Sequence, residues 1–110
     1  MQNQTIIVKT GAVYQKIPLD KILFCEAKGA YTRIVTETEE LTVAKNLKYF
    51  EKELQQSLFF RVSRSHLINL HHCTSIICGA RYAVLSSLHK IEISVRQLPK
   101  AIRAFKRSLV

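Results

Sequence analysis

Phe59-Phe60-Arg61-Val62-Ser63-Arg64-Ser65-His66-Leu67-Ile68-Asn69 carries the clearest structural signal in this chain of 110 residues. In its first half Phe60 and Val62 alternate with Arg61 and Ser63, the period-two pattern of a strand with one buried and one polar face. That rhythm stops at Arg64-Ser65-His66, after which Leu67, Ile68 and Leu70 return the chain to a core. A polar, cation-bearing turn held between apolar anchors offers hydrogen-bond donors on a rigid support. Arg64 is therefore expected at the tip of a turn, in contact with a negatively charged ligand.

Upstream, residues 5–9 and 12–17 flank Thr10-Gly11, a hairpin signature because glycine tolerates positive φ. Ile22 to Glu26 is a short strand, apolar on both faces until Glu26. Lys28-Gly29-Ala30 makes a loop, after which Tyr31, Arg33 and Val35 alternate with Thr32, Ile34 and Thr36 in a β-branched strand. An acidic turn at Glu37 to Glu40 leads into Leu41 to Val43. From Ala44 the period changes: Leu47, Phe50 and Leu54 make the stripe of an amphipathic helix over 44–56, with Lys48, Glu51, Lys52 and Gln55 off it.

Downstream, residues 75–78 and 82–85 flank Gly79-Ala80 as another hairpin, and a strand over 88–95 points Ile91, Ile93 and Val95 inward. Pro99 suits the first turn of a terminal helix whose buried stripe is Leu98, Ile102, Phe105 and Leu109. Its other side carries Lys100, Arg103, Lys106 and Arg107. The pattern predicts one domain of mostly β class, with about eight to ten short strands in antiparallel hairpins, one helix between strands and one at the C-terminus.

Apolar residues make up 47% of the chain, which excludes disorder, and the formal net charge of +9 points to polyanions as partners. The charge is uneven. Residues 54–110 hold nine Lys or Arg against one acid, Glu92, whereas five of the eight acids lie between Glu37 and Glu53. Cys25, Cys73 and Cys78, odd in number and set in apolar runs, read as reduced core thiols. With no signal peptide at Met1-Gln2-Asn3-Gln4 and no membrane-length apolar run, a soluble cytoplasmic protein without a membrane partner is expected.

The string Phe60-Arg61-Val62-Ser63-Arg64-Ser65-His66-Leu67-Ile68-Asn69 resembles the LytTR (LytR/AlgR-type) DNA-binding domain of bacterial transcriptional response regulators. Ile22-Leu23-Phe24-Cys25-Glu26-Ala27, Tyr31-Thr32, Asn46-Leu47 and Ile93-Ser94-Val95-Arg96 extend the likeness over roughly residues 5–107. The resemblance implies ten short strands in three small antiparallel sheets with a helix. It also implies loops that read double-stranded DNA at paired promoter repeats, action as a dimer on DNA, and a receiver or sensor domain in a longer chain. This sequence contains no receiver, so it is expected to be an excised domain or a stand-alone protein. By position, the family's contacts fall on the loop leading into Tyr31, the Arg64 turn, and Arg96 with its neighbours. One departure stands out: Ser63 occupies a place where the family usually has His, and His66 is the candidate to replace that imidazole.

The chemistry of the side chains fits the same assignment. Arg64 and Arg96 carry planar forks suited to guanine O6 and N7. Lys28, Arg33, Lys100 and Arg103 suit phosphates, Lys100 doubly so beside the free amides of a helix start. Ser63, Ser65 and His66 line the turn itself. Plainer roles stand beside these: Arg61 pairing with a helix acid or with phosphate, Tyr31 packing at a strand end, and Asn69 and Ser65 satisfying turn backbone. A zinc site from His66, His71, His72, Cys73 and Cys78 is disfavoured, because no Cys-x-x-Cys pair exists and neighbouring residues on a strand face apart. Without a glycine-framed serine, paired carboxylates or a phosphate-cradling glycine loop, neither an enzyme nor a cofactor is expected. The alternative is a basic β module that binds RNA, single-stranded nucleic acid or a protein partner by charge and shape. Single-strand binders stack bases on exposed aromatics, and the five phenylalanines mostly fall on faces read as core.

Overall fold

A computed structural model describes residues 4–54 and 58–108. It contains ten strands and two helices. The centre is a five-stranded antiparallel sheet in the order β5-β4-β3-β7-β6, made of Glu40–Val43, Tyr31–Thr36, Ile22–Lys28, His66–Asn69 and Phe59–Arg61. β1 (Thr5–Thr10) and β2 (Val13–Pro18) form a separate hairpin, closed by Gly11 at φ 61°. β8 (Cys73–Ile77), β9 (Tyr82–Leu85) and β10 (Lys90–Glu92) form a three-stranded sheet. Helix α1 spans Leu47–Glu53 and α2 spans Leu98–Arg107.

The apolar run of β3 has a direct explanation: both faces of the central sheet are covered. Cys25, paired with Leu67 and Ile34, points into a cluster with the β1–β2 hairpin and with Leu47 and Phe50 of α1. Phe24, paired with Ile68 and Val35, points the other way, into a cluster with Ala83, Leu85 and Ile91 of the small sheet and Ala101 of α2. The same split corrects the one-sided reading of β6. Phe59 is buried in the first cluster and Phe60 packs against the second, so neither face of this strand is simply polar. Asn69 is fully buried and pins the layers, donating from Nδ2 to the Ile22 carbonyl at 2.8 Å and accepting from the His71 N–H at 2.9 Å.

Several boundaries differ from the periodicity. α1 starts at Leu47 because the Asn46 side chain accepts from the Tyr49 N–H at 2.9 Å and caps it there; Gln55 lies outside the described residues. The last strand stops at Glu92, and Ser94 then donates from its backbone to Val62, which turns Val95 outward to 69% exposure rather than inward. Pro99 does open α2, but the residue at the centre of the packed face is Ala101, with Leu98, Ala104 and Phe105 around it; Leu109 lies outside the described residues. In the 78–81 turn the left-handed residue is Arg81 at φ 59°, not Gly79. Cys25 and Cys73 are buried, Cys25 with its thiol pushed by burial to about 12, whereas Cys78 is exposed on that turn and is not a core thiol.

Candidate nucleic-acid interface

Three stretches far apart in sequence meet at one end of the central sheet. The Gly29-Ala30 turn joins β3 to β4 there, with Lys28 opposite Tyr31 and Gly29 at φ 61°. The Ser63-Arg64-Ser65 turn joins β6 to β7 at the same end, and Ala27 N–H donates to the Ser65 carbonyl at 2.8 Å. On its other side, Ser94 N–H donates to the Val62 carbonyl at 2.9 Å, which seats the segment carrying Arg96 and the start of α2 beside β6. Lys28, Tyr31, Arg64, Ser65, Arg96, Lys100 and Arg103 are exposed, and Ser63 is half-buried.

The Arg64 turn is braced from below by another arginine. Arg61 donates from Nε to the Ser63 carbonyl and from Nη2 to the Arg64 carbonyl, both at 2.8 Å, and pairs through Nη1 with Glu51 of α1 at 2.8 Å. Of the two roles open to Arg61, the structure shows the ion pair. The Ser63 hydroxyl accepts from the Ser65 N–H at 3.2 Å, so Ser63 and Ser65 shape the turn. Arg64 itself holds the tip with its side chain exposed, where a ligand can take it.

Behind the two turns lies a charge cluster centred on Glu26. Its carboxylate meets Arg33 at 2.7 Å, His66 Nε2 at 3.3 Å and Lys28 at 3.8 Å, while Arg33 also reaches Glu40 at 2.7 Å. Burial works to raise the Glu26 pKa, but the hydrogen bond and charge of Arg33, with His66 and Lys28, outweigh it and hold the carboxyl below its usual range. Burial pushes the His66 imidazole below its ordinary value despite Glu26 beside it. Arg33 and His66 are thus both engaged with Glu26 across three neighbouring strands, each of them partly exposed.

The fold adds Lys45, which sequence reasoning missed. β5 pairs with β4 so that Val43 lies opposite Thr32, and the Thr32 hydroxyl donates to the Lys45 carbonyl at 2.7 Å. The exposed Lys45 therefore stands next to Tyr31 at the same sheet end. Only the strand register reveals this, since Lys45 falls at the transition from strand to helix in sequence. Among the described residues no helix is long and apolar enough to cross a membrane.

A solved LytTr DNA-binding domain from Bacillus cereus shares this fold, with a TM-score of 0.77 over 96% of this chain and 98% of that one at 21% identity. The Bacillus subtilis (strain 168) transcriptional regulatory protein NatR is 31% identical over 70 residues, 64% of this chain. The match spans 30% of NatR's own length. Residues 12–106 match the model of the LytTr DNA-binding domain, and with that match running through nearly the whole described fold, the chain belongs to the LytTR family of DNA-binding domains.

Proposed function

We propose that this chain is the sequence-reading module of a bacterial transcriptional regulator, binding promoter direct repeats by placing its sheet-end turns in the major groove. The observation that carries this reading is the convergence of the Tyr31 hairpin, the Arg64 turn and the Arg96 segment through two backbone hydrogen bonds, Ala27 to Ser65 and Ser94 to Val62. The two turns stand two strand spacings apart, on the order of 10 Å, which suits a major groove about 12 Å wide. Arg64 and Arg96 are the base readers. Lys28, Tyr31, Ser63, Ser65, Lys100 and Arg103, joined by Lys45, meet the sugar-phosphate backbone, and Arg33 and His66 hold the turns in place from behind. The chain acts as a single binding domain without catalysis of its own, in the cytoplasm, paired on DNA and governed by a receiver or sensor domain.

Selection from randomised duplex DNA at about 150 mM salt, where non-specific phosphate binding is weakened, tests this directly. Enrichment of two short repeats about one helical turn apart is the expected outcome. Salt-sensitive retention with no enriched sequence, or displacement by single strands as efficiently as by selected duplex, would overturn it in favour of charge-and-shape binding.

A further inference from the structure

We propose that the cleft between the β1–β2 hairpin and the β5–α1 junction is a binding site for a small, flat aromatic anion. The cleft holds about 610 Å³, within the size range of small-molecule sites. Its floor is core: Val8, Val43 and Phe50 are 4%, 4% and 0% exposed. Its walls are different in kind. Ile7, Tyr14, Tyr31 and Tyr49, four of the eight exposed large hydrophobic side chains among the described residues, line this one concavity. Three of the chain's four tyrosines are thereby gathered at a single place.

Charge selects among the ligands such walls could hold. Aromatic faces attract cations, but here that role is already filled: Lys9 Nζ sits 5.6 Å from the Tyr14 ring centre and Lys45 Nζ 5.0 Å from that of Tyr49. The lining includes both lysines and no carboxylate, so a cation entering the cleft meets repulsion without a counter-ion. A planar ring bearing a carboxylate, sulfonate or phosphate matches instead. Its face stacks on tyrosine, its edge covers Ile7, and its charge falls between Lys9 and Lys45. Tyr31 and Lys45 also belong to the sheet end that faces DNA in the reading above, so an occupied cleft changes the surface presented there. Binding of the anion itself does not depend on that reading and is tested without DNA.

The probe is 1-naphthoate, titrated into the full chain labelled with nitrogen-15 and followed by amide chemical shifts. Saturable shifts are expected at Gly11, Thr42, Ala44 and Lys45, with a dissociation constant on the order of 1 mM or tighter for a ligand of this size. Lys9→Gln and Lys45→Gln, both at exposed positions, should each weaken binding roughly threefold to fivefold while leaving the rest of the spectrum in place. The uncharged 1-naphthalenemethanol should bind more weakly than 1-naphthoate. Shifts that are absent or scattered over the surface would overturn the site, and equal binding of the neutral probe would overturn its anionic class. Shifts of the same amides on simple dilution of the chain would mark the cleft as a contact between copies, which also defeats the proposal.

Discussion

Arg61 and Arg64 divide one turn between two guanidiniums: the first is consumed by the fold, and the second is left exposed at the tip. Arg61 satisfies two carbonyls of the turn and one carboxylate of α1, a geometry that a planar fork provides and an ammonium does not. Arg61→Lys should therefore lower stability by roughly 1–2 kcal/mol, read in a denaturation curve, and weaken cognate DNA although Arg64 is untouched. Unchanged affinity in that variant would remove the brace from the account. Arg64→Ala should have the complementary signature: a loss of roughly 1–3 kcal/mol on the selected site, relaxed preference at one base position and little change in stability. An equal loss on random duplex would make Arg64 a phosphate contact only. The sequence exposed Arg64 clearly, because the alternation breaks there. It left Arg61 open, because pairing with α1 is a tertiary fact that no local pattern encodes.

At the scale of elements, the central strands hold the turns and the turns inherit the titration of what lies between them. Glu26, Arg33 and His66 come from β3, β4 and β7, three neighbouring strands of one sheet. His66 has a pKa lowered from 6.5, so the folded state resists its protonation while the unfolded chain does not. Its contribution is fully present above the unfolded value and declines as pH falls below about 6.5. Glu26, also lowered, adds a second decline below its unfolded value of 4.5. Unfolding curves taken from pH 7.5 to 5.5 should show stability dropping, and His66→Asn should flatten the contribution near pH 6.5; a slope identical in both proteins would place the titration elsewhere. α1 offers a sharper local test. Removing its cap with Asn46→Ala should cost about 1 kcal/mol, and Asn46→Asp should restore most of it. Element types were legible because apolar periods of two and of three to four separate cleanly at Ala44 and at Pro99. What was not legible followed from pairing: Ser94 leaves its strand to bond Val62, which exposes Val95, and register alone sets Lys45 beside Tyr31.

The whole molecule is polarised along the strands of its central sheet. β4 begins at Tyr31 on the interface side and ends at Thr36, where Glu37, Glu39 and Glu40 follow, so the acidic turn lies at the opposite end from Lys28 and Arg64. Six of the nine cations in residues 54–110 fall on the Arg64 turn, on Arg96 and on α2, the last as Lys100, Arg103, Lys106 and Arg107. A molecule arranged in this way approaches DNA with one end first, and its affinity must carry the signature of released counterions. With Lys28, Lys45, Arg64, Arg96, Lys100 and Arg103 each neutralising one phosphate or the field near it, log affinity should fall against log salt with a slope near −5. Between about 50 and 200 mM salt that slope amounts to a loss of roughly a thousandfold. Replacing Lys100 and Arg103 together by alanine should shift the slope to about −3 on selected and random duplex alike, and leave the ratio of the two affinities unchanged. These side chains are exposed on α2, and Ala101 rather than either of them makes its core contact, so folding is spared and the slope reports on DNA alone. If the slope stays near −5 in the double variant, α2 lies off the phosphate backbone and the interface is confined to the sheet-end turns. If the affinity ratio changes instead, α2 takes part in reading sequence and the division between positioning and reading residues fails.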